Sequence, residues 1–429
     1  MANEALAFGL NRARPATWID EAVLLVFLLL AFVGLSPFAI QAPAVTAYGE
    51  VGTTGAGDLA RQLCYLAVFA AILIGAFRRF GMQAAAFVPL LLVALLVWCL
   101  LSAAWSGEPA VTLRRAGLAV VLVISAMLSV ETVGAERSLM LWRWVLAAVL
   151  LVNLASIHFI PQAVHLPGEA EPSLAGDWRG LYGHKNIAGS VGAMTAILFL
   201  FTPRPGLLRR LLDLAIAAAA IFFTVMTQSK SSLGLLAVAL VVGLVYRLAW
   251  KKDLDRVIVA VAGAALAIAV TALLVADSSM ILRLFTDPQA FTGRTEIWAA
   301  EIAYIRDHVL FGAGFGTFSD TGGLSPLHNY VGNSWVGEAS HGHNGYLQLL
   351  MTVGVPGFLL AFAGLVVQPA LSFWRRGGDV ATKALLFALF ALLLLHNVME
   401  TDFLEGDGVT WVAFILMLAM LYNLDRRAP

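Results

Sequence analysis

Charge is scarce in this chain, and so is cysteine. Asp, Glu, Lys and Arg make up 13% of 429 residues, against 60% hydrophobic residues. A soluble domain carries about a quarter charged residues, so this composition excludes that class and points to a polytopic membrane protein. The formal net charge is zero. The total therefore names no partner, and nothing in it supports nucleic-acid binding. The two cysteines, Cys64 and Cys99, both lie in apolar runs. They read as small core residues, which leaves neither a disulfide framework nor a thiolate metal site. No internal repeat or low-complexity tract is visible.

Apolar runs, by contrast, are plentiful. Stretches at 20–40, 59–77, 84–101, 110–130, 138–160, 186–203, 211–228, 231–250, 256–276, 345–368, 384–398 and 408–423 are each long enough for a tilted helix to cross ~30 Å of hydrocarbon. The expectation is an all-α integral membrane protein of about twelve spans. Arg12 and Arg14 precede the first run, and Ala42-Pro43-Ala44 resembles a cleavage site. Ala22 to Ile40 nearly spans by itself, so the segment is expected to be retained. The chain divides into spans one to nine (1–276), one large loop (277–344) and spans ten to twelve (345–429).

The positive-inside rule assigns Arg78, Arg79, Arg209, Arg210, Lys251, Lys252, Arg375, Arg376, Arg426 and Arg427 to cytoplasmic connections. Arg179, Lys185, Lys230, Arg283 and Arg294 then fall on the opposite side or inside the spans. They need another reason to exist, and an anionic substrate handled at the outer face supplies one. All eight histidines map to that same side. The outer loop from Asp277 to Asn344 carries Trp298, Trp335, Phe311, Phe315 and Phe318, too aromatic for disorder. Within it Trp298, Ile302, Ile305 and Val309 form an apolar stripe, which predicts a helix from about Thr295 lying along the membrane surface.

Three segments concentrate the unusual residues. In Trp178-Arg179-Gly180-Leu181-Tyr182-Gly183-His184-Lys185-Asn186, the glycines let Arg179, His184 and Lys185 converge near the headgroups; the alternative is an interfacial anchor. In Thr292-Gly293-Arg294-Thr295-Glu296-Ile297-Trp298, an arginine beside a helix start suits phosphate. An Arg294–Glu296 surface pair fits that spacing equally well. In His341-Gly342-His343-Asn344-Gly345-Tyr346, His343 sits at the mouth of a span, placed to take a proton near neutral pH. Loop residues or, with His328, metal ligands are the other readings; zinc is disfavoured because no carboxylate or Cys accompanies the histidines at a familiar spacing.

Other signals are weaker. Gly312-Ala313-Gly314-Phe315-Gly316 follows no strand and reads as a flexible turn, not a dinucleotide loop. The acidic group Glu400, Asp402, Glu405 and Asp407 reads as solvated, with a divalent-ion site as the alternative. Arg114 and Arg115, near an outer span end, must face a polar cavity or snorkel outward.

Together these segments resemble the O-antigen ligase and polymerase superfamily, particularly exopolysaccharide production proteins of the ExoQ type. His343, Asn344, Gly354 and Gly357 match the ligase pattern H-[NSQ]-x9-G-x-x-[GTY], and the T-G-R-T-E-I-W, G-H-K-N and G-x-G-x-x-x-F stretches are similar to other family hallmarks. The resemblance runs from about Trp105-Ser106 to the last span. It implies an inner-membrane glycosyltransferase with a large periplasmic loop containing short helices. Such an enzyme transfers glycan from undecaprenyl diphosphate to an acceptor hydroxyl, without metal or other cofactor. By resemblance Arg294 and Arg179 bind the diphosphate and His343 activates the acceptor. Lys185 and Lys230 join the diphosphate set from charge position, with His184, Asn186, Glu296, Asn344 and His341 in support. Implied partners are the lipid-linked donor, a glycan or lipid A core acceptor, membrane lipids and other polysaccharide-assembly proteins. Polymerisation of repeat units is the favoured activity. O-antigen ligation and then oligosaccharide transfer to protein follow, and a transporter is the reading from a different class.

Overall fold

The computed structural model describes residues 16–39, 58–167, 169, 172–202, 204–251, 294–318, 325–332, 334–338, 341–375 and 379–427. The expected span at 256–276, the signal-like features around Arg12 and Ala42, Arg283, and Thr292-Gly293 lie outside the described residues. Within them the chain is 79% helical and has no strands, an all-α membrane protein. Hydrocarbon leaves no water to satisfy backbone groups, so apolar runs of this length close their hydrogen bonds internally as helices.

Helices occupy the other eleven expected spans: α1 (Trp18–Phe32), α2 (Leu59–Phe80), α3 (Leu90–Leu101), α4 (Pro109–Val133), α5 (Ala135–Phe159), α6 (Lys185–Phe201), α7 (Leu207–Met226) and α8 (Lys230–Lys251), then after the loop helix α9 (Arg294–Asp307) come α10 (Gly345–Phe362), α11 (Gln368–Trp374), α12 (Val380–Met399) and α13 (Val409–Arg427). A π-helical turn at Ala363–Val367 joins α10 to α11, which together make one span. By length and composition 7 helices are apolar enough to cross a membrane unaided, with Leu90–Ala104 and Lys185–Phe201 as shorter apolar helices. Helix starts are specified locally. Thr17 and Asp20 form a capping box for α1, while Asp58, Asn344 and Asp379 cap α2, α10 and α12.

The two ends of the bundle differ in charge chemistry. At one end Arg426 meets the fully buried Glu131, Lys383 pairs with Asp425 (3.0 Å), and Arg143 and Arg204 share Asp213. α6 runs from the other end towards Thr202, which receives Arg143. α12 likewise runs from Lys383 towards Glu400. The described cations and histidines expected on the outer side therefore gather at the far end.

The loop helix packs chiefly on α10, at a break in that helix. Gly354 has φ 65°, and Pro356 supplies no N–H, so carbonyls around residues 351–353 lose their helical donors. Ala313 N–H donates to Met351 O (2.8 Å), Gly314 N–H to Thr352 O (2.9 Å) and Trp98 Nε1 to Val353 O (2.9 Å), while Val355 N–H donates to Val309 O (2.9 Å). Gly312, Gly314 and Gly316 all have positive φ. The expected flexible turn is thus a packed one: a Cβ on Gly314 would lie 2.5 Å from Ser106, and Arg115 donates to Gly316 O (2.6 Å). That bond also gives Arg115 a polar partner near the start of α4. The stripe expected to define α9 is displaced. Ile297, Ala300, Glu301 and Tyr304 face inward, whereas Ile302 and Val309 are exposed. The break in α10 offers its docking surface to the residues one step before the stripe.

Gly354→Ala places a methyl 2.2 Å from Leu310 O at a left-handed φ. The expected outcome is a loss of about 1–3 kcal/mol and release of the loop from α10, read as a lower unfolding midpoint in detergent and faster proteolysis near α9.

Candidate active site

Four chain segments meet at the end of the bundle far from Glu131 and Asp213: the start of α9, the loop entering α10, the start of α6 and the end of α12. Asn344 caps α10 by accepting from Tyr346 N–H and Leu347 N–H (both 3.1 Å), and its own amide reaches Val398 O (3.3 Å). Gly345 N–H donates to Glu400 O (3.1 Å) and Tyr346 Oη to Leu394 O (3.0 Å), fastening α10 to α12. This clamp turns His343 inward with φ 52°, an uncommon backbone state for a non-glycine residue.

Glu400 is the centre of the cluster. Its Oε1 accepts from Arg294 Nη2 (2.8 Å) and Asn186 Nδ2 (2.6 Å), and its Oε2 lies 3.1 Å from His343 Nδ1. Burial works to raise this carboxyl, but the hydrogen bond from His343 and the charge of Arg294 hold it well below the usual range. Arg294 Nε is buried with no hydrogen-bond partner among the described residues. His343 keeps 24% of its side chain exposed. Its neighbour His341 packs edge-on at 4.0 Å between ring centroids, and burial followed by the proximity of His343 pushes its imidazole down to about 3.

The acidic group read as solvated is mostly folded inward, a correction with a clear cause. Glu400 and Asp402 are buried because basic groups at the same end need counter-charge. Asp402 accepts from Thr410 (2.6 Å) and pairs with His396 Nδ1 (2.7 Å) behind Glu400. Glu405 accepts from Gln348 Nε2 (2.8 Å), and Asp407 pairs with Arg61 (3.3 Å). The fold also supplies the carboxylate that local spacing lacked. Ligand atoms of His341, His343 and Glu400 lie within 4.8 Å of one another, the described set able to hold a metal.

The first segment joins the cluster through its far end. His184 caps α6, accepting from Asn186 N–H (3.2 Å), and burial lowers its imidazole to about 4. Asn186 reaches Glu400 directly. Arg179 is fully buried and held elsewhere: its fork grips Glu169 (2.9 and 3.0 Å) and its Nε donates to Gln162 O (2.8 Å). Glu169 also binds His165 Nδ1 (2.9 Å), and His165 Nε2 accepts from Lys185 N–H (3.2 Å). Lys185 Nζ pairs with Asp177 (2.7 Å). Glu296 is exposed on the first turn of α9, and Lys230 is exposed at the start of α8 and joins none of these contacts. Sequence reasoning missed Glu169, Asp177 and the cluster role of Glu400. The outlying cations were the available signal, since each buried one requires a carboxylate.

A second acid lies beside the histidines. Glu301 is fully buried, and both carboxyl oxygens have no hydrogen-bond partner among the described residues. A Cβ on Gly342 would lie 2.1 Å from its Oε1, so only glycine fits between His341 and His343.

Residues 215–362 match the family model described as O-Antigen ligase. The matched stretch, about a third of the chain, contains Arg294, His343, Gly354 and Gly357, and it supports a likeness to the superfamily of O-antigen ligases and polymerases. No curated protein matches the chain.

Burial raises the Glu301 carboxyl well above its ordinary value. The folded state therefore holds this proton more tightly than the unfolded chain does. Its stabilising contribution is complete below about pH 4.3 and declines as pH rises towards the raised value. Glu301→Gln should flatten that decline and raise the unfolding midpoint at pH 8, measured by thermal unfolding in detergent from pH 4.5 to 8.

Proposed function

We propose that the protein transfers a glycan from undecaprenyl diphosphate to an acceptor sugar hydroxyl at the periplasmic face of the inner membrane. The observation that carries this reading is the meeting of Arg294 and His343 on one buried carboxylate, although Arg294 begins α9 and His343 lies in the loop entering α10. A cation and an imidazole held side by side match the two demands of the reaction. Negative charge grows on the departing diphosphate, and Arg294 stabilises it as it develops. The acceptor hydroxyl must lose its proton as its oxygen attacks the anomeric carbon, and His343 takes that proton. The new C–O bond forms as the bond to the diphosphate breaks, so one direct displacement inverts the anomeric centre. Lys185 and Arg179 lie along the hydrogen-bonded path leading to Asn186, each beside a carboxylate, and enter the proposal as secondary cations for the diphosphate. No nucleotide serves outside the inner membrane, so the lipid-borne diphosphate supplies the driving force. The guanidinium takes the place of a metal ion in this scheme.

Polymerisation of exopolysaccharide or O-antigen repeats is the favoured activity, from the resemblance to the ExoQ type. Ligation to lipid A core is the second reading, favoured by the histidine pattern of His343 to Gly357 and by the description of the matching family. Deleting the gene separates them. Loss of secreted polymer with single repeats left identifies a polymerase, and lipopolysaccharide lacking O-antigen identifies a ligase. A transporter wants charges near the membrane midplane, whereas the site residues gather at one end of the bundle.

In the deletion strain, His343→Ala and Arg294→Ala are each expected to insert normally and restore no glycan, read on gels of surface polysaccharide. Product from either variant removes that residue from the site. Transfer by the purified protein in liposomes is expected to persist after treatment with EDTA, assayed by turnover of lipid-linked glycan; loss that added divalent cation restores would replace the guanidinium scheme by a metal-assisted one.

A further inference from the structure

We infer that Glu400 is a positioning residue with two tasks, setting the tautomer of His343 and competing with the donor diphosphate for Arg294. The inference rests on the diphosphate-transfer reading above.

The first task follows from donor and acceptor chemistry. An ionised carboxylate only accepts hydrogen bonds. The 3.1 Å contact between Glu400 Oε2 and His343 Nδ1 therefore places a proton on Nδ1, leaving the lone pair of Nε2 to receive the acceptor proton. As that proton arrives, the carboxylate charge lies against the new imidazolium.

The second task follows from charge. Arg294 reaches Glu400 Oε1 at 2.8 Å, so in the described structure its positive charge is already matched. An arriving diphosphate must draw the guanidinium away or share it. Arg294 has a reserve for this, because its Nε is buried without a partner among the described residues. Glu400 does not become an isolated buried charge on handover, since Asn186 Nδ2 (2.6 Å) and His343 remain on it. Among the described residues, His184, His341 and the His396–Asp402 pair make up the rest of its titratable surroundings. The carboxylate thus weakens donor binding and strengthens the chemical step, two effects that a merely structural residue does not combine.

The test uses the full chain purified in detergent, titrated calorimetrically with inorganic pyrophosphate, together with surface glycan in the deletion strain. Glu400→Gln keeps an oxygen for Arg294 and Asn186 but turns an NH₂ towards His343, forcing the imidazole proton onto Nε2. Pyrophosphate should bind this variant about tenfold more tightly than the wild type, because the competing charge is gone. Glycan should fall at least about a hundredfold, as expected of a base in the wrong tautomer. Glu400→Asp should lie between wild type and Gln in both readouts. If the Gln variant does not purify as a single species, Asp carries the test, and unchanged pyrophosphate affinity there overturns the proposal. Weaker or equal binding by Glu400→Gln overturns the competition, and normal glycan overturns the positioning role. Arg294→Gln separates this from the parent reading. If the wild type binds pyrophosphate and Arg294→Gln does not, the diphosphate site stands whatever Glu400 does. If neither the wild type nor Glu400→Gln binds it, both proposals fall.

Discussion

One carboxylate organises the end of this molecule that holds the candidate site. Glu400 ends α12, yet its oxygens hold side chains from the start of α6, the start of α9 and the loop entering α10. Away from water an ion is tolerated only when its partners are complete, and removing one partner of a buried pair typically costs about 3–5 kcal/mol. Arg294, His343 and Asn186 therefore depend on each other through a carboxylate that belongs to none of them. That dependence places a cation and an imidazole at a fixed separation while leaving both partly accessible, the combination a transfer site requires.

A second arrangement carries the same logic into the backbone. α10 is interrupted at Gly354 and Pro356, and bare carbonyls at that depth find no water. The loop segment around residues 309–314 supplies the N–H groups instead and receives Val355 N–H in return. The glycines of the two motifs are thus one device seen from two sides. Gly312 and Gly354 each lie where an added methyl would strike the other segment's backbone. Docking at the break brings the helix with Arg294 beside the helix that follows His343.

Much of the architecture was legible because long apolar runs admit few alternatives; the helices fall where hydropathy put the spans. Arg294 and His343 stand out in the sequence too, as a cation and an imidazole on the side where topology gives them no task, and the fold brings both onto Glu400. What escaped was whatever depends on neighbours distant in sequence. Glu400 lies among other acids, so locally it reads as a solvated turn, and only packing reveals that it faces inward. At Arg179 packing adds partners that its own segment does not show. Its charge is conspicuous, but Glu169 and the carbonyl of Gln162 occupy its donors, so in the described structure it braces its own loop. The stripe on α9 was displaced for a related reason, since the break in α10 decides which residues find shelter.

The interrupted helix also bears on biosynthesis. Residues 309–314 leave the ribosome before 351–355, so the segment that completes the break already exists when the broken helix enters the membrane. Assembly in the reverse direction would strand polar backbone in lipid until a partner came. The chain order of loop first and fractured span second is the one in which insertion and completion coincide.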